Sequence, residues 1–307
     1  MIQNVKIVTV SANPEEYHKP VAERCTPEFP MSSGALKEFA ICPSRYKAGK
    51  AEEESNESMD FGSLVDCLFL TPGQFEKRYV IQPETYTNKE DGEKPWNWNS
   101  NTCKAWRNEN RGLSIISKEK FDEAVVALER LNADPTIVSF LEQSDRQVWL
   151  SGEWKDKETK LKIPLKALID IVPRADSEYS DYIADLKTTR DAAPMVWNRT
   201  VFNFGYHFQA ALYLDMMQVI DPMRSGFGHI VQENKKPFET GKRIMHPDYL
   251  EIGRKEYEKA LSDYCQCLKS GKFPGYDDTD EAVQGWSTSY PEPWMEQRNT
   301  FSTKYTF

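Results

Sequence analysis

Residues 161–189, LKIPLKALIDIVPRADSEYSDYIADLKTT, decide how the rest of the chain is read. Two β-branched, apolar runs, 161–172 and 182–186, flank a polar turn, which is the pattern of neighbouring strands. Asp170 and Asp185 fall at or near the ends of those strands. Side chains alternate along a strand, so Asp185 and Lys187 share a face. Two carboxylates and an amine then converge. Hard oxygen ligands of this kind suit Mg²⁺, which takes one or two protein carboxylates and keeps several waters, and a lysine beside such water can hold and polarise it. A surface ion pair between Asp185 and Lys187 is the alternative.

Working outward, residues 147–154 (QVWLSGEW) read as a further strand and residues 227–232 (FGHIVQ) as another. Between them, residues 195–220 read as one long helix with Val196, Phe202, Phe208, Ala211, Leu212 and Met216 on its apolar side, stopped by Pro222. Gln209 and Tyr213 stand four apart on this helix, with Tyr206 one turn earlier, so an amide and two phenols share an edge. That edge is either ordinary polar surface or one wall of a site beside Asp185 and Lys187. Residues 248–268 form a last amphipathic helix ending at Gly271.

Towards the N-terminus the reading is mainly helical. Ser32 or Ser33 caps a helix carrying Leu36, Phe39 and Ala40, and Pro43 ends or restarts it. Residues 61–70 (FGSLVDCLFL) form a short apolar helix, and Ser117 opens another to about residue 133. Asp66 is flanked by Leu64, Val65, Cys67, Leu68 and Phe69, so its carboxylate needs a cationic partner or a metal. Helices followed by strand, strand, strand, helix, strand and helix describe an α/β core with a helical N-terminal elaboration. The expected boundaries are an extension over 1–30, one domain over 31–276 (helical over 31–145, catalytic α/β over 146–276) and a tail over 277–307.

The 307 residues carry 39 Lys+Arg against 48 Asp+Glu, a net charge of −9 that at first sight argues against a nucleic-acid partner. Five acids within residues 51–60 and four within 277–284, each run free of bases, account for the whole deficit. Both read as solvated acidic loops, and the remaining body is neutral. Any DNA affinity must then come from local basic clusters and bound cations. Lys235-Lys236 and Lys242-Arg243 are candidate phosphate contacts or plain surface. The chain shows no apolar run of 18 residues and no signal-peptide core near its start, so a cytoplasmic protein with no membrane partner is expected.

Taken in order, SSGALKEF, CPSRYKA, FGSLVDCLFLTPGQFEKRYV, LKALIDIV, ADLKTT, GYHFQAALYLD, CLKSGKFPGY and YPEPW resemble the RecE-like (exodeoxyribonuclease VIII-type) branch of the PD-(D/E)XK, or RecB-type, nucleases, from about Ser32 to Trp294. The resemblance implies a restriction-endonuclease-like central mixed sheet flanked by helices. It implies that Asp170 and Asp185 bind Mg²⁺, with Mn²⁺ as a substitute, that the backbone carbonyl of Leu186 is a further ligand, and that Lys187 positions the attacking water. Gln209 and Tyr213 match the QxxxY motif that supports the active site and contacts DNA. Tyr206, Thr188 and Thr189 join them on the strand-binding side.

One position departs from the family. Gly62-Ser63-Leu64-Val65-Asp66 stands where relatives carry G-x-x-x-H, so Asp66 replaces a metal-binding histidine. An aspartate can ligate Mg²⁺ through oxygen, which is the reading adopted, or it marks a weakened nuclease that still binds DNA. Some relatives hold an iron-sulfur cluster on four cysteines, but only Cys42, Cys265 and Cys267 are placed for one here. Neither that cluster nor structural zinc is expected. The function implied is a Mg²⁺-dependent exonuclease that degrades linear double-stranded DNA from 5′ to 3′ and leaves 3′ single strands for recombination, in a phage or prophage setting. Its partners would be duplex ends, further copies of itself in a ring-like homo-oligomer, and a single-strand annealing protein. The alternatives are an end-binding protein with a weakened centre, and a nuclease for single-stranded or branched DNA.

Overall fold

The computed structural model describes residues 1–49, 57–88, 92–278, 286 and 289. In chain order its first elements are β1 (Ile2–Thr9), α1 (Pro14–His18), α2 (Ser33–Ile41), α3 (Pro43–Ala48) and α4 (Glu57–Leu70). After a 3₁₀ turn come α5 (Phe75–Arg78), β2 (Tyr79–Ile81), β3 (Thr85–Asn88), β4 (Gly92–Pro95), α6 (Asn101–Glu109) and β5 (Ser114–Ile116). The chain continues through α7 (Lys118–Asn132), α8 (Pro135–Glu142), β6 (Ser144–Lys155), β7 (Lys162–Pro173) and β8 (Tyr182–Thr189). It closes with α9 (Pro194–Asn203), α10 (Tyr206–Ile220), β9 (Gly226–Glu233), β10 (Thr240–Ile244) and α11 (Pro247–Ser270).

The strands read from residues 147–189 are the centre of a six-stranded mixed sheet ordered β1-β6-β7-β8-β9-β10. β6 and β7 pair antiparallel along their whole length, from Ser144↔Pro173 to Lys155↔Lys162. β8 and β9 run parallel, Asp185 lying opposite His229, as the intervening helical crossover requires. Between β7 and β8 the ladder is confined to Ile171↔Ala184. Helices cover both faces. One core gathers Leu36, Phe39, Leu212, Met216, Leu261 and Tyr264 under the sheet residues Leu165, Ala167 and Ile169. The other gathers Leu64, Ala127, Leu131 and Leu141 against Ile171, Ala184 and Leu186. The facing of β7 therefore changes across Asp170, between Ile169 and Ile171. The α/β sheet flanked by helices is the expected architecture.

Helix ends follow local chemistry. The hydroxyl of Ser32 accepts from the Ala35 amide at 3.2 Å and starts α2. Ser117 does the same for Lys120 at 3.1 Å in α7. α11 stops at Gly271, which takes φ +71° and donates its amide to the Cys267 carbonyl at 2.8 Å.

Several expectations are corrected. The helix expected over 195–220 is two helices, α9 and α10, separated at Gly205 with φ +61°. A left-handed residue cannot continue a helix, and the apolar spacing runs through the break without marking it. The segment expected as an extension over 1–30 supplies the edge strand β1, paired antiparallel with β6 from Ile2↔Trp154. The mainly helical part also contains two small sheets, parallel β2–β5 and antiparallel β3–β4. Of the tail over 277–307, residues 277, 278, 286 and 289 are described. No helix among the described residues is long and apolar enough to cross a membrane.

α10 and α11 pack so closely that a Cβ added at Gly253 would stand 2.3 Å from the carbonyl oxygen of His207. Helix propensity alone favours alanine over glycine by about 1 kcal/mol. Overlap with rigid backbone costs more, so Gly253→Ala is expected to destabilise the protein by about 1–2 kcal/mol in chemical denaturation. An unchanged or raised midpoint would show that the two helices can separate freely.

Candidate active site

Where β7 and β8 part, the sheet opens into a cleft of about 730 Å³. Its walls come from every layer: Asp170 from β7, Asp185, Leu186, Lys187 and Thr188 from β8, Gly62, Ser63 and Asp66 from α4, and Tyr206, Gln209 and Tyr213 from α10. The parting is filled by a side chain in place of a carbonyl. The Leu186 amide donates to Asp170 Oδ2 at 2.9 Å, taking up a hydrogen bond that the strand ladder does not supply. Gln147 Nε2 donates to the other oxygen, Asp170 Oδ1, at 3.2 Å. Gln147 is 1% exposed and holds φ +49°, a conformation uncommon in a residue with a side chain.

Asp185 is buried and held from two directions. The Lys187 ammonium donates to its Oδ2, as the shared strand face requires. Gln209 Nε2 lies 3.4 Å from both carboxylate oxygens. The Lys187 ammonium also sits 5.4 Å from the centroid of the Tyr206 ring. Beneath, Ser33 donates to the Tyr213 hydroxyl at 3.4 Å, tying α2 to α10. α4 approaches β8 so closely that a Cβ at Gly62 would stand 2.7 Å from Thr188 Oγ1, and this brings Asp66 to the cleft.

The charges do not balance locally. Burial, then the like charges of Asp185 and Asp66, push the Asp170 carboxyl well above the usual carboxylate range. Burial pushes Asp66 up to about 6, against the pull of Lys187 and Arg78. Burial opposes the charge on Lys187, but Asp185 and Asp170 outweigh it and raise its pKa. Burial, with Lys187 nearby, lowers Lys37 to about 8. Burial also lowers His229 to about 3, so this ring is neutral beneath Tyr206 and Trp197. Three carboxylates thus face a short supply of cations. An all-oxygen donor set with surplus negative charge fits a hard divalent cation that keeps part of its water shell. Among the described residues, no three His, Cys, Asp or Glu side chains are already drawn together around one point.

Asp66, Asp170, Asp185, Leu186, Lys187, Thr188, Tyr206, Gln209 and Tyr213, all expected at the site, line the one cleft. Thr189 does not. At the end of β8 its hydroxyl turns away and donates to the Asp191 carbonyl at 3.3 Å. The expected basic contacts also lie elsewhere: Lys242 pairs with Asp134, and Arg243 donates to the Ala192 carbonyl at 2.8 Å. Arg78, Gln147, Tyr17 and His18 line the cleft without having been singled out from sequence. None of the four carries a local signal: Arg78 closes the charged run Glu76-Lys77-Arg78, which reads as ordinary helix-end surface. Of the acidic run over 51–60, Asp60 is placed and is not a cleft residue, while Glu52, Glu53 and Glu54 lie outside the described residues, as do Asp280 and Glu281 of the other run. All six cysteines are unpaired thiols.

The sequence profile of a PDDEXK-like domain of unknown function (DUF3799) matches residues 32–284. Among solved structures, a candidate exonuclease from Eubacterium rectale aligns with a TM-score of 0.56 at 17% identity, over 94% of this chain and 98% of that one. At that identity the likeness concerns the fold. Rai1 of Scheffersomyces stipitis, in complex with (3'-NADP)+ and calcium ion, aligns over 79% of this chain and 68% of its own at 13% identity, and its TM-score of 0.27 carries no argument. No curated protein matches the chain.

The carboxyl shifts have a thermal consequence. A carboxyl whose folded pKa lies above its unfolded value stabilises the fold below about pH 4 and loses that contribution as pH rises through the folded pKa. For Asp66 the window runs from 3.8 to about 6. In a chelator, the Tm advantage of Asp66→Asn over the wild type is therefore expected to grow between pH 4 and 7. Parallel Tm profiles in a fluorimetric melt would mean that Asp66 is not desolvated.

Proposed function

The chain belongs to the family of PDDEXK-like domains, the nuclease hydrolases, and from that premise we propose that it is a Mg²⁺-dependent exonuclease acting on the ends of linear double-stranded DNA, 5′ to 3′, in the RecE-like manner. The observation that carries the proposal is the placing of Asp170, Asp185 and Lys187 at one strand parting, with Gln209 of α10 on Asp185. An isolated surface ion pair would need neither the amide on Asp170 nor the amide side chain on Asp185.

Asp170, Asp185 and Asp66, with the Leu186 carbonyl, would hold the cation, which supplies Lewis acidity at a phosphoryl oxygen. The chain's own groups do the positioning. Lys187, kept protonated by Asp185 and Asp170 and seated over the Tyr206 ring, presents N–H donors that orient a water for attack on phosphorus. Attack forms one P–O bond and breaks the bond to the neighbouring nucleoside oxygen. Gln209 keeps Asp185 from turning away, and the Leu186 amide and Gln147 fix both oxygens of Asp170. Thr188, Tyr206 and Tyr213 line the path of the strand. Generation of 3′ single strands for recombination, assembly of identical copies and handover to an annealing protein belong to the same proposal.

End-labelled linear duplex with Mg²⁺ or Mn²⁺ is expected to be degraded by the wild type, while closed circular duplex is spared. Lys187→Ala and Asp185→Ala are each expected to lose activity by about 100-fold or more. Asp66→Ala is expected to fall well below Asp66→His. Binding of duplex ends without cleavage in either metal would overturn the nuclease proposal in favour of an end-binding protein, and equal activity in all three position-66 forms would remove Asp66 from the ligand set.

A further inference from the structure

From residue 94 to residue 112 the sequence KPWNWNSNTCKAWRNENRG carries four bases and one acid, in a chain whose net charge is −9. It folds as the end of the β3–β4 hairpin followed by α6. Three indoles form a ladder: Trp96 meets Trp106 edge-on with ring centroids 5.1 Å apart, and Trp98 with centroids 5.5 Å apart. Trp96 and Trp106 are half-buried and anchor this small unit, whose hairpin strands are only four residues long. Trp98 is 40% exposed and is not needed for that burial. The Arg107 guanidinium lies 5.8 Å from its ring centroid.

Lys104, Arg107 and Arg111 stand at i, i+3 and i+7, and all three line a groove of about 760 Å³ together with Asn108 and Asn110. Among the described residues none of the three forms an ion pair. One strand pairing links the segment that lines the groove to a segment that lines the cleft. The groove residues Leu113 and Ile115 flank Ser114 of β5, which pairs with Tyr79 of β2, and Tyr79 directly follows the cleft residue Arg78. One strand spacing, about 4.8 Å, separates β2 from β5.

We propose that this groove and Trp98 form a binding site for single-stranded DNA, separate from the catalytic carboxylates, with phosphates along Lys104, Arg107 and Arg111 and a base stacked on the Trp98 indole. Basic grooves with an adjoining exposed aromatic bind single strands without sequence preference, because every base offers a stacking face. The inference rests on the nuclease reading of the cleft and adds to it the path of the unpaired strand.

Binding of fluorescent oligo(dT) and of a blunt duplex of equal length is measured by anisotropy in the presence of chelator, across a salt series. The variants are Lys104→Glu/Arg107→Glu/Arg111→Glu, Trp98→Ala and Trp98→Phe in the full chain. The triple variant is expected to lose oligo(dT) affinity by at least 10-fold, and its log K against log salt slope is expected to become shallower by about 2. Trp98→Ala is expected to lose roughly 5- to 100-fold with its slope unchanged, and Trp98→Phe to keep most of the affinity. Wild-type affinity and slope in the triple variant would overturn the site. Loss for duplex but not for oligo(dT) would overturn the single-strand assignment. Failure of the wild type to cleave any DNA, with these binding losses intact, would instead strike the nuclease reading alone.

Discussion

The hydrogen bond from the Leu186 amide to Asp170 is the constraint on which the rest of the site depends. Antiparallel neighbours ordinarily satisfy each other's backbone, but β7 and β8 stay paired only at Ile171↔Ala184. By taking an amide of β8, the Asp170 carboxylate stands in for a missing strand carbonyl and keeps the strands registered as they separate. The same bond sets the spacing between Asp170 and Asp185. Everything else converges on that opening: α4 through the gap left by Gly62, α10 through the break at Gly205, and β6 through the left-handed Gln147.

The arrangement is electrostatically costly by itself. Asp170, Asp185 and Asp66 share Lys187 as a common cation, and the lowered acidities of Asp170 and Asp66 express burial and the strain of that sharing. Buried like charges persist when the surrounding fold over-determines them, and they are concentrated where chemistry needs them. Here the determinants are two packed helices and four strands, held by fully buried residues such as Leu64, Ile171, Ala211 and Phe227. Hydrophobic packing thus offsets a local charge excess that a divalent cation would neutralise. Asp66, a third carboxyl on the cleft wall, adds to that excess.

Much of this was legible in the residues because it depends on period. Alternation placed Asp185 with Lys187, and helical spacing placed Tyr206, Gln209 and Tyr213 on one edge. Caps at Ser32, Ser117 and Gly271 located helix ends. What escaped depends on tertiary context. The apolar spacing through residues 195–220 continues across Gly205 and outweighed the glycine, which was the local sign of the break. β1 lies at a sheet edge with mostly exposed side chains, which leaves no core-facing alternation to read. Gln147 and Arg78 belong to the cleft because of where neighbouring elements sit. Thr189 shares the KTT run but lies one residue too far along β8, where its hydroxyl meets Asp191.

Calorimetric titration of metal-free protein with Mn²⁺ addresses the charge excess most directly, since it needs neither substrate nor turnover. The expected result is saturable binding to the wild type that is lost in Asp170→Asn and in Asp185→Asn while both variants remain folded. Absence of binding by the wild type, or undiminished binding by both variants, would contradict the assignment of these carboxylates to a divalent cation.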